Sequence, residues 1–485
     1  MYYNKFVNFF FTKPSFRTLL KIEFFVFFLT LSVRIYDLFL PYGWGILYAG
    51  STSFWHITGE NLLKYGYWDT LFTPILNTGL NQDPILYINH PSLLSVYLSI
   101  FYKLFGSSEV VTKLAALIAW YLVSYLIFLL AKKQSLIFGH YALIASLIIP
   151  FTNRFACCAD SIGGPLIVVF SVLLIYVLET KRPSWIIFLT VIFGTFTEWT
   201  FLPLLFSCFF MKQYRSQRLI LVFSTLCSAC FLTFSYLIAF YRNLFGFQAK
   251  GVKLFKAATI WLISEQGISS IINRIESKLD SRIYSAKDQI NLIQWIFRVG
   301  FQYVLNLFTP LLYPSMVLFI KKTKFKFLPF IIQSFVAIFI FASGSFRHSF
   351  WSAPLVPLAS LAIGFFMYRF KKWTNLIILG SLILSLGYTI IYKNRHHTNY
   401  FFELGKFINK NSKQNEIILI NPIRGHNDRG ERLTLGWYSK RDIIYVRSED
   451  LKTEKIRKLK MAYPNTKFKF INIEQIDFNN RHDHH

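Results

Sequence analysis

Residues 110–130 read VVTKLAALIAWYLVSYLIFLL, and Ala131, Lys132 and Lys133 follow at once. The stretch is predominantly apolar over about 20 residues, the length a helix needs to cross roughly 30 Å of hydrocarbon. Lipid offers no water to a backbone amide or carbonyl, so the segment must be helical. The lysine pair at its end marks a cytoplasmic loop, because cytoplasmic connections carry the excess of Lys and Arg.

That assignment constrains what precedes it. Lys5, Lys13, Arg17 and Lys21 place the N-terminus in the cytoplasm, and a first span over 23–40 carries the chain outward. The span has no small-residue cleavage site after it and is expected to stay uncleaved. A polar and aromatic stretch runs on to Pro91, and a short apolar run, 92–105, then ends at Gly106. This run either crosses the bilayer or lies in its interface. Only an interfacial helix leaves Lys132 and Lys133 inside, so 41–109 is expected to be the first outer loop.

The alternation continues downstream. Spans over 136–150, 162–178, 185–196, 201–211 and 219–240 put Lys181 and Arg182, then Lys212, Arg215 and Arg218, on the cytoplasmic side. Spans over 292–320, 327–342, 353–368 and 376–392 do the same for Lys321, Lys322, Lys324 and Lys326 and for Arg369, Lys371 and Lys372. The expected fold class is an all-α polytopic membrane protein of about eleven transmembrane helices, with interfacial helices in the outer loops 41–109 and 241–289. Residues 1–393 make up this transmembrane domain. Over 394–485 the pattern changes to a helix at 400–409, strands at 416–420, 442–446 and 468–473, and a charged helix at 449–461. This predicts a small soluble α/β domain on the non-cytoplasmic side.

Composition points the same way. Of 485 residues 54% are hydrophobic and 19% aromatic, with 54 Phe against 24 acidic side chains, more apolar material than a soluble domain can bury. A net charge of +28 would suit nucleic acid, but the cations stand in short clusters between apolar runs, which orients a membrane protein and attracts anionic lipid instead. Cys157, Cys158, Cys208, Cys227 and Cys230 show no metal-ligand spacing with histidine, so neither a disulfide framework nor a zinc site is expected. The terminal RHDHH reads as a frayed polar end in preference to a metal site.

The unusual polar residues gather on the outer side. Arg34 and Asp37 are one helical turn apart in the first span, where a charge without a partner is costly; the pair either orients the helix or takes part in function. His90, in Asn89-His90-Pro91-Ser92, precedes a helix whose first amides suit an anion such as phosphate, or it simply caps that helix. Asp160 stands at a membrane boundary before two glycines, placed to act as general base, to hold a metal, or to complement the macrodipole of the next span. Glu198 and Trp199 occupy a tight outer turn, the indole stacking on a sugar or anchoring at the interface. Arg347, His348 and Trp351 lie in a further outer turn, where the Arg and His suit either a phosphate clamp or ordinary headgroup contact.

Taken in order, these residues resemble the membrane glycosyltransferases of the GT-C fold, the glycosyltransferase family 39-like group that includes protein O-mannosyltransferases and the lipid A aminoarabinose transferase. The resemblance spans about residues 30–370. It rests on Arg34 with Asp37, GENLLKYG (59–66), YINHPSLL (87–94), KLFGSSEVVTKL (103–114), Asp160, Glu198-Trp199 and RHSFW (347–351) with prolines beyond it. It implies a polyprenyl-phosphate sugar donor, a glycan, lipid or protein acceptor, and inverting transfer on the outer face of a bacterial inner membrane. It implies catalysis by Asp160 with Asp37, and substrate binding by Arg34, His90, Glu198, Trp199, Arg347, His348 and Trp351. A divalent metal is compatible with it, and no nucleic acid partner is expected. The chain departs from the family in one place: an acidic residue usual early in the first outer loop is replaced by Gly50-Ser51-Thr52-Ser53. Asp37, His56, Glu60 or Asp69 takes that role, or Asp160 acts alone, or the chain binds polyprenyl phosphate without catalysis. A flippase of lipid-linked sugars would show two corresponding halves with broken helices, and the sequence shows no such halves.

Overall fold

The computed structural model describes residues 13–40, 46–76, 85–87, 90–160, 164–245, 292–303, 307–323, 327–340, 349–396, 400–420, 429–446 and 467–471, with short pieces between 259 and 273 and single positions at 457 and 461. Most of the amphipathic loop expected over 241–289, the charged helix at 449–461, Asn89, Arg347, His348 and the RHDHH end lie outside the described residues.

Helix α1 (Phe16–Leu38) starts at Ser15, whose hydroxyl accepts the Thr18 amide at 3.1 Å and satisfies one of the free amides of the first turn. Helices α2 (Ile46–Tyr65) and α3 (Leu93–Phe105) follow and pack on each other. Their contact is close because Gly59 has no side chain: a Cβ there would stand 2.9 Å from the Tyr102 ring and 3.0 Å from Leu98 Cβ. Gly66, at φ +85°, turns the chain out of α2, and Gly106, at φ +80°, ends α3; both conformations favour glycine. The two glycines of GENLLKYG therefore have separate structural duties.

Helix α4 (Glu109–Lys132) is capped by Ser108 and packs on α5 (Leu136–Ile148) and α6 (Pro165–Glu179). α5 stops short of the expected 150 because Ile149, preceding Pro150, is held extended. The chain goes on through α7 (Ser184–Thr195), α8 (Phe201–Phe210), α9 (Arg218–Phe245), α10 (Leu312–Thr323), α11 (Leu328–Phe335), α12 (Val356–Arg369) and α13 (Thr374–His396). The single span expected over 292–320 is interrupted: helix at 292–303 gives way before Thr309, at φ +75°, and Pro310, which has no amide to donate.

Among the described residues four helices, Glu109–Lys132, Lys212–Asn243, Trp351–Arg369 and Lys371–Ile390, are long and apolar enough to cross a membrane by length and composition. Side chains such as Phe24, Phe25, Leu219, Phe223, Ile383 and Leu384 are exposed along the outside, where lipid replaces water. The chain is an integral membrane protein. Lipid tails are as apolar as leucine, so helix association depends on close packing of small residues. Ala115, Ala116 and Ala119 of α4, Ala142 and Ala145 of α5, and Ala359 and Ala362 of α12 are all buried. At the α5–α12 crossing a Cβ on Gly364 would lie 2.6 Å from Ala142 Cα, so only glycine fits.

After helix α14 (Tyr400–Lys410) come strand β1 (Glu416–Ile420), helix α15 (Arg429–Ser439), and strands β2 (Asp442–Tyr445) and β3 (Lys467–Ile471). The sheet is parallel in the order β2-β1-β3, with Ile417 opposite Asp442 and Phe468. The strand positions agree with the alternation read from the sequence, while α15 was absent from that reading. Its face includes Leu435, which joins Leu404, Ile408, Ile418, Ile420 and Ile443 in a core separate from that of the bundle. α15 also packs on α2, so this unit and the first loop after α1 stand on the same side of the bundle.

Candidate functional site

Glu198 sits in the turn between α7 and α8, held by the Thr197 amide on the Gly194 carbonyl (3.1 Å) and the Phe201 amide on the Glu198 carbonyl (3.1 Å). Its carboxylate is 1% exposed; it accepts the Trp199 amide at 3.0 Å and meets His90 Nδ1 at 2.7 Å. A buried carboxylate holds the imidazole proton on Nδ1 and fixes the ring, leaving Nε2 as the second nitrogen. The His90 ring is stacked beside Tyr87 (centroids 5.8 Å) and lies edge-on to Trp55 (6.5 Å). The amides expected to await an anion at the start of α3 are partly used: Leu93 N donates to the Phe196 carbonyl at 2.8 Å. That bond ties α3 to the Glu198 turn and keeps His90 against its carboxylate.

α7 and α8 have 12 and 10 residues, so at 1.5 Å per residue they rise only about 18 and 15 Å, each less than the roughly 30 Å of a hydrocarbon core.

Asp160 is 6% exposed and lies in the loop before α6. Gly164 closes that loop tightly, since a Cβ there would overlap the Asp160 carbonyl at 1.9 Å. The Asp160 carboxylate accepts the hydroxyl of Ser51, and the neighbouring Thr52 hydroxyl faces Cys158 Sγ at 3.7 Å. Ser51 belongs to the stretch 50–53, where the resemblance leads to the expectation of an acidic residue, and the fold brings its hydroxyl onto Asp160. Ser51 and Trp55 are four residues apart on α2 and share a face, so Asp160 and His90 are served by successive turns of one helix.

Arg34 is fully buried. Its guanidinium bonds Asn153 Oδ1 (3.0 Å), the Leu147 carbonyl (3.4 Å) and Thr152 Oγ1 (3.4 Å), and it lies 5.0 Å from the Tyr121 ring centre. These bonds run to the kinked segment leading to Asp160, while Asp37 stands buried one turn further along α1. Trp199 packs near Tyr236 at 5.7 Å, and Trp351 is buried in the bundle core. Among the described residues no three His, Cys, Asp or Glu side chains gather as a metal site. Ser51, Trp55, Tyr87 and Asn153 were not singled out in the sequence; the only signal for Ser51 was the carboxylate it lacks.

The architecture is that of a polytopic membrane protein with the GT-C-like fold. Two crystal structures of the aminoarabinose transferase ArnT from Cupriavidus metallidurans carry that fold. The apo form matches with a TM-score of 0.54 at 11% identity, covering 92% of this chain and 88% of the other. The form bound to undecaprenyl phosphate matches with a TM-score of 0.54 at 12% identity, covering 93% and 88%. No protein-family model and no curated protein sequence matches the chain.

Proposed function

We propose that the protein transfers a sugar from a polyprenyl-phosphate-linked donor to an acceptor on the non-cytoplasmic face of the membrane. The observation that carries this reading is the contact of Ser51 with Asp160. It sets Ser51, in the stretch where the resemblance leads to the expectation of an acid, beside Asp160, and this supports a role for that carboxylate. Asp160 is the general base: it takes the proton of an acceptor hydroxyl or amine as that atom attacks the anomeric carbon. The bond from that carbon to the phosphate oxygen breaks, its electron pair leaves with polyprenyl phosphate, and the anomeric centre inverts. His90, oriented by Glu198, binds the phosphate of the lipid carrier. The ArnT neighbour bound to undecaprenyl phosphate supports a lipid-phosphate partner of this kind. Arg347 and His348 are proposed as further phosphate contacts, Trp199 and Trp351 as sugar-side aromatics, and Arg34 with Asp37 as support for the Asp160 segment. The positive clusters between spans support an N-terminus in the cytoplasm and a C-terminal unit outside, and the resemblance supports the inner membrane of a bacterium as the setting.

The single acidic group at the contact also favours a second reading, a relative that binds polyprenyl phosphate without turning it over. Protein in lipid nanodiscs, offered a panel of polyprenyl-phosphate sugars, decides between them. Transfer or slow hydrolysis that disappears in Asp160→Asn establishes the enzyme. Retained polyprenyl-phosphate binding with no turnover of any donor establishes the binding protein.

A further inference from the structure

Helix α2 is gripped from two sides. Ser51 and Trp55 face Asp160 and His90, whereas Ser53 and His56 face the C-terminal unit. At about 100° per residue, the second pair lies roughly 150° around the helix from the first. Ser53 Oγ is 2.7 Å from Thr434 Oγ1, and both residues are fully buried. The His56 ring, also fully buried, lies 4.6 Å from Trp437 and 5.0 Å from Tyr102. Its nitrogens meet Ser107 Oγ at 2.9 Å and Thr112 Oγ1 at 2.8 Å, at the junction of α3 and α4. Thr434 and Trp437 are three residues apart on α15, one face of a helix whose other side is packed on α14. There Gly405 permits the contact, since a Cβ on it would lie 2.3 Å from Tyr438 Cβ.

We propose that the C-terminal α/β unit is a working part of the site: α15 fixes the rotation and depth of α2 at which Ser51 meets Asp160 and Trp55 meets His90, with Thr434 and Trp437 as positioning residues. Two independent contacts one turn apart define both rotation and translation of a helix, which a single contact does not. A helix turned by one residue, about 100°, would take Ser51 away from Asp160 altogether. The docking itself is independent of the glycosyl-transfer reading; only its consequence for turnover rests on that reading.

The full chain in nanodiscs provides both tests. Without any substrate, amide hydrogen exchange over 46–65 is expected to rise at least tenfold in Trp437→Ala and to stay at the parent level in Trp437→Phe. Exchange at 416–420 serves as the check that the C-terminal sheet remains folded. Unchanged exchange over 46–65 in Trp437→Ala overturns the proposal, whatever the assay of turnover shows. In the paired variant Ser53→Cys with Thr434→Cys, mild oxidation is expected to form a disulfide between the introduced thiols. Failure to form it overturns the docking. Where a donor is turned over, Trp437→Ala is expected to lower kcat at least tenfold while KM for the donor stays within threefold, with Trp437→Phe restoring most of the loss. An unaltered kcat in a variant with loosened α2 overturns the positioning role. Absence of turnover in the parent protein defeats the glycosyl-transfer reading and leaves the exchange and disulfide results to decide the docking.

Discussion

Glu198→Gln tests whether His90 and Glu198 act as one unit. The native carboxylate, 1% exposed, serves two donors, the Trp199 amide at 3.0 Å and His90 Nδ1 at 2.7 Å. A glutamine keeps the shape but has only one oxygen, so its NH2 must face one of those donors, and a buried N–H loses its acceptor. A hydrogen bond to a charged group contributes about 1.5–3 kcal/mol, and leaving a buried donor unsatisfied costs about 1–3 kcal/mol. If that energy holds the imidazole where the donor phosphate binds, a loss of about 1.4–2.8 kcal/mol corresponds to a 10- to 100-fold fall in kcat/KM, at about 1.4 kcal/mol per decade. The assay is release of sugar from a polyprenyl-phosphate donor in nanodiscs by Glu198→Gln, His90→Gln and the double variant. Acting as a unit, the pair gives a double variant no worse than the poorer single variant. Losses that multiply, with a coupling below about 0.5 kcal/mol, would refute the dyad.

Gly364→Ala is expected to lower the apparent unfolding temperature by several degrees, because the new Cβ meets Ala142 Cα at 2.6 Å and Ala142 N at 2.7 Å, backbone atoms that cannot move aside; overpacking of this kind costs about 1–3 kcal/mol. A thermal shift within one degree of the parent, about the scatter expected of a surface change, would contradict that packing. Gly59→Val is expected to separate α2 from α3, since the contact is already 2.9 Å to the Tyr102 ring and 3.0 Å to Leu98 Cβ; faster hydrogen exchange over 93–105 is the readout. Burial first, and Lys440 second, hold the His56 imidazole well below its ordinary range, so the folded protein keeps this ring neutral while the unfolded chain binds a proton. Stability is therefore fully present above about 6.5, the ordinary imidazole value, and is lost as the pH falls below it. Comparing the apparent unfolding temperature of the parent and His56→Asn between pH 8 and pH 5 checks the sign: the parent should lose more on acidification, and parallel curves would disprove it.

The apolar helices were legible where each carries its own signal. Residues 110–130 are apolar without help from neighbours, and Lys132 and Lys133 mark their end. Strands 416–420 and 442–446 likewise show in their local pattern, and β1 and β2 occupy those places. Helix α2 was missed because Ser51, Ser53, Trp55, His56 and Asn61 present no apolar stripe; this helix is buried by polar and aromatic partners on several sides. The break at Thr309–Pro310 was passed over because apolar residues flank it, and hydropathy does not register a missing amide. Asp160, His90 and Glu198 could be named singly from their settings at helix ends and boundaries. Their pairing could not: His90 and Glu198 are 108 positions apart, Ser51 and Asp160 109.

Ser51 shows what that separation conceals. By the resemblance, it stands in a stretch where a carboxylate is expected, and the departure counts against catalysis. In the fold it is the hydroxyl that faces the remaining carboxylate. Two carboxylates in contact repel, and one is driven to hold a proton unless a cation lies between them. A serine opposite Asp160 imposes neither condition and supplies a donor that orients the oxygen it touches. Under the proposed transfer, a serine at this contact leaves Asp160 as a base that is held in place, where a second acid would make the pair a charge that must be shared. A local pattern registers only the missing acid, because the partner that gives the serine its meaning enters the site from the far side of two spans.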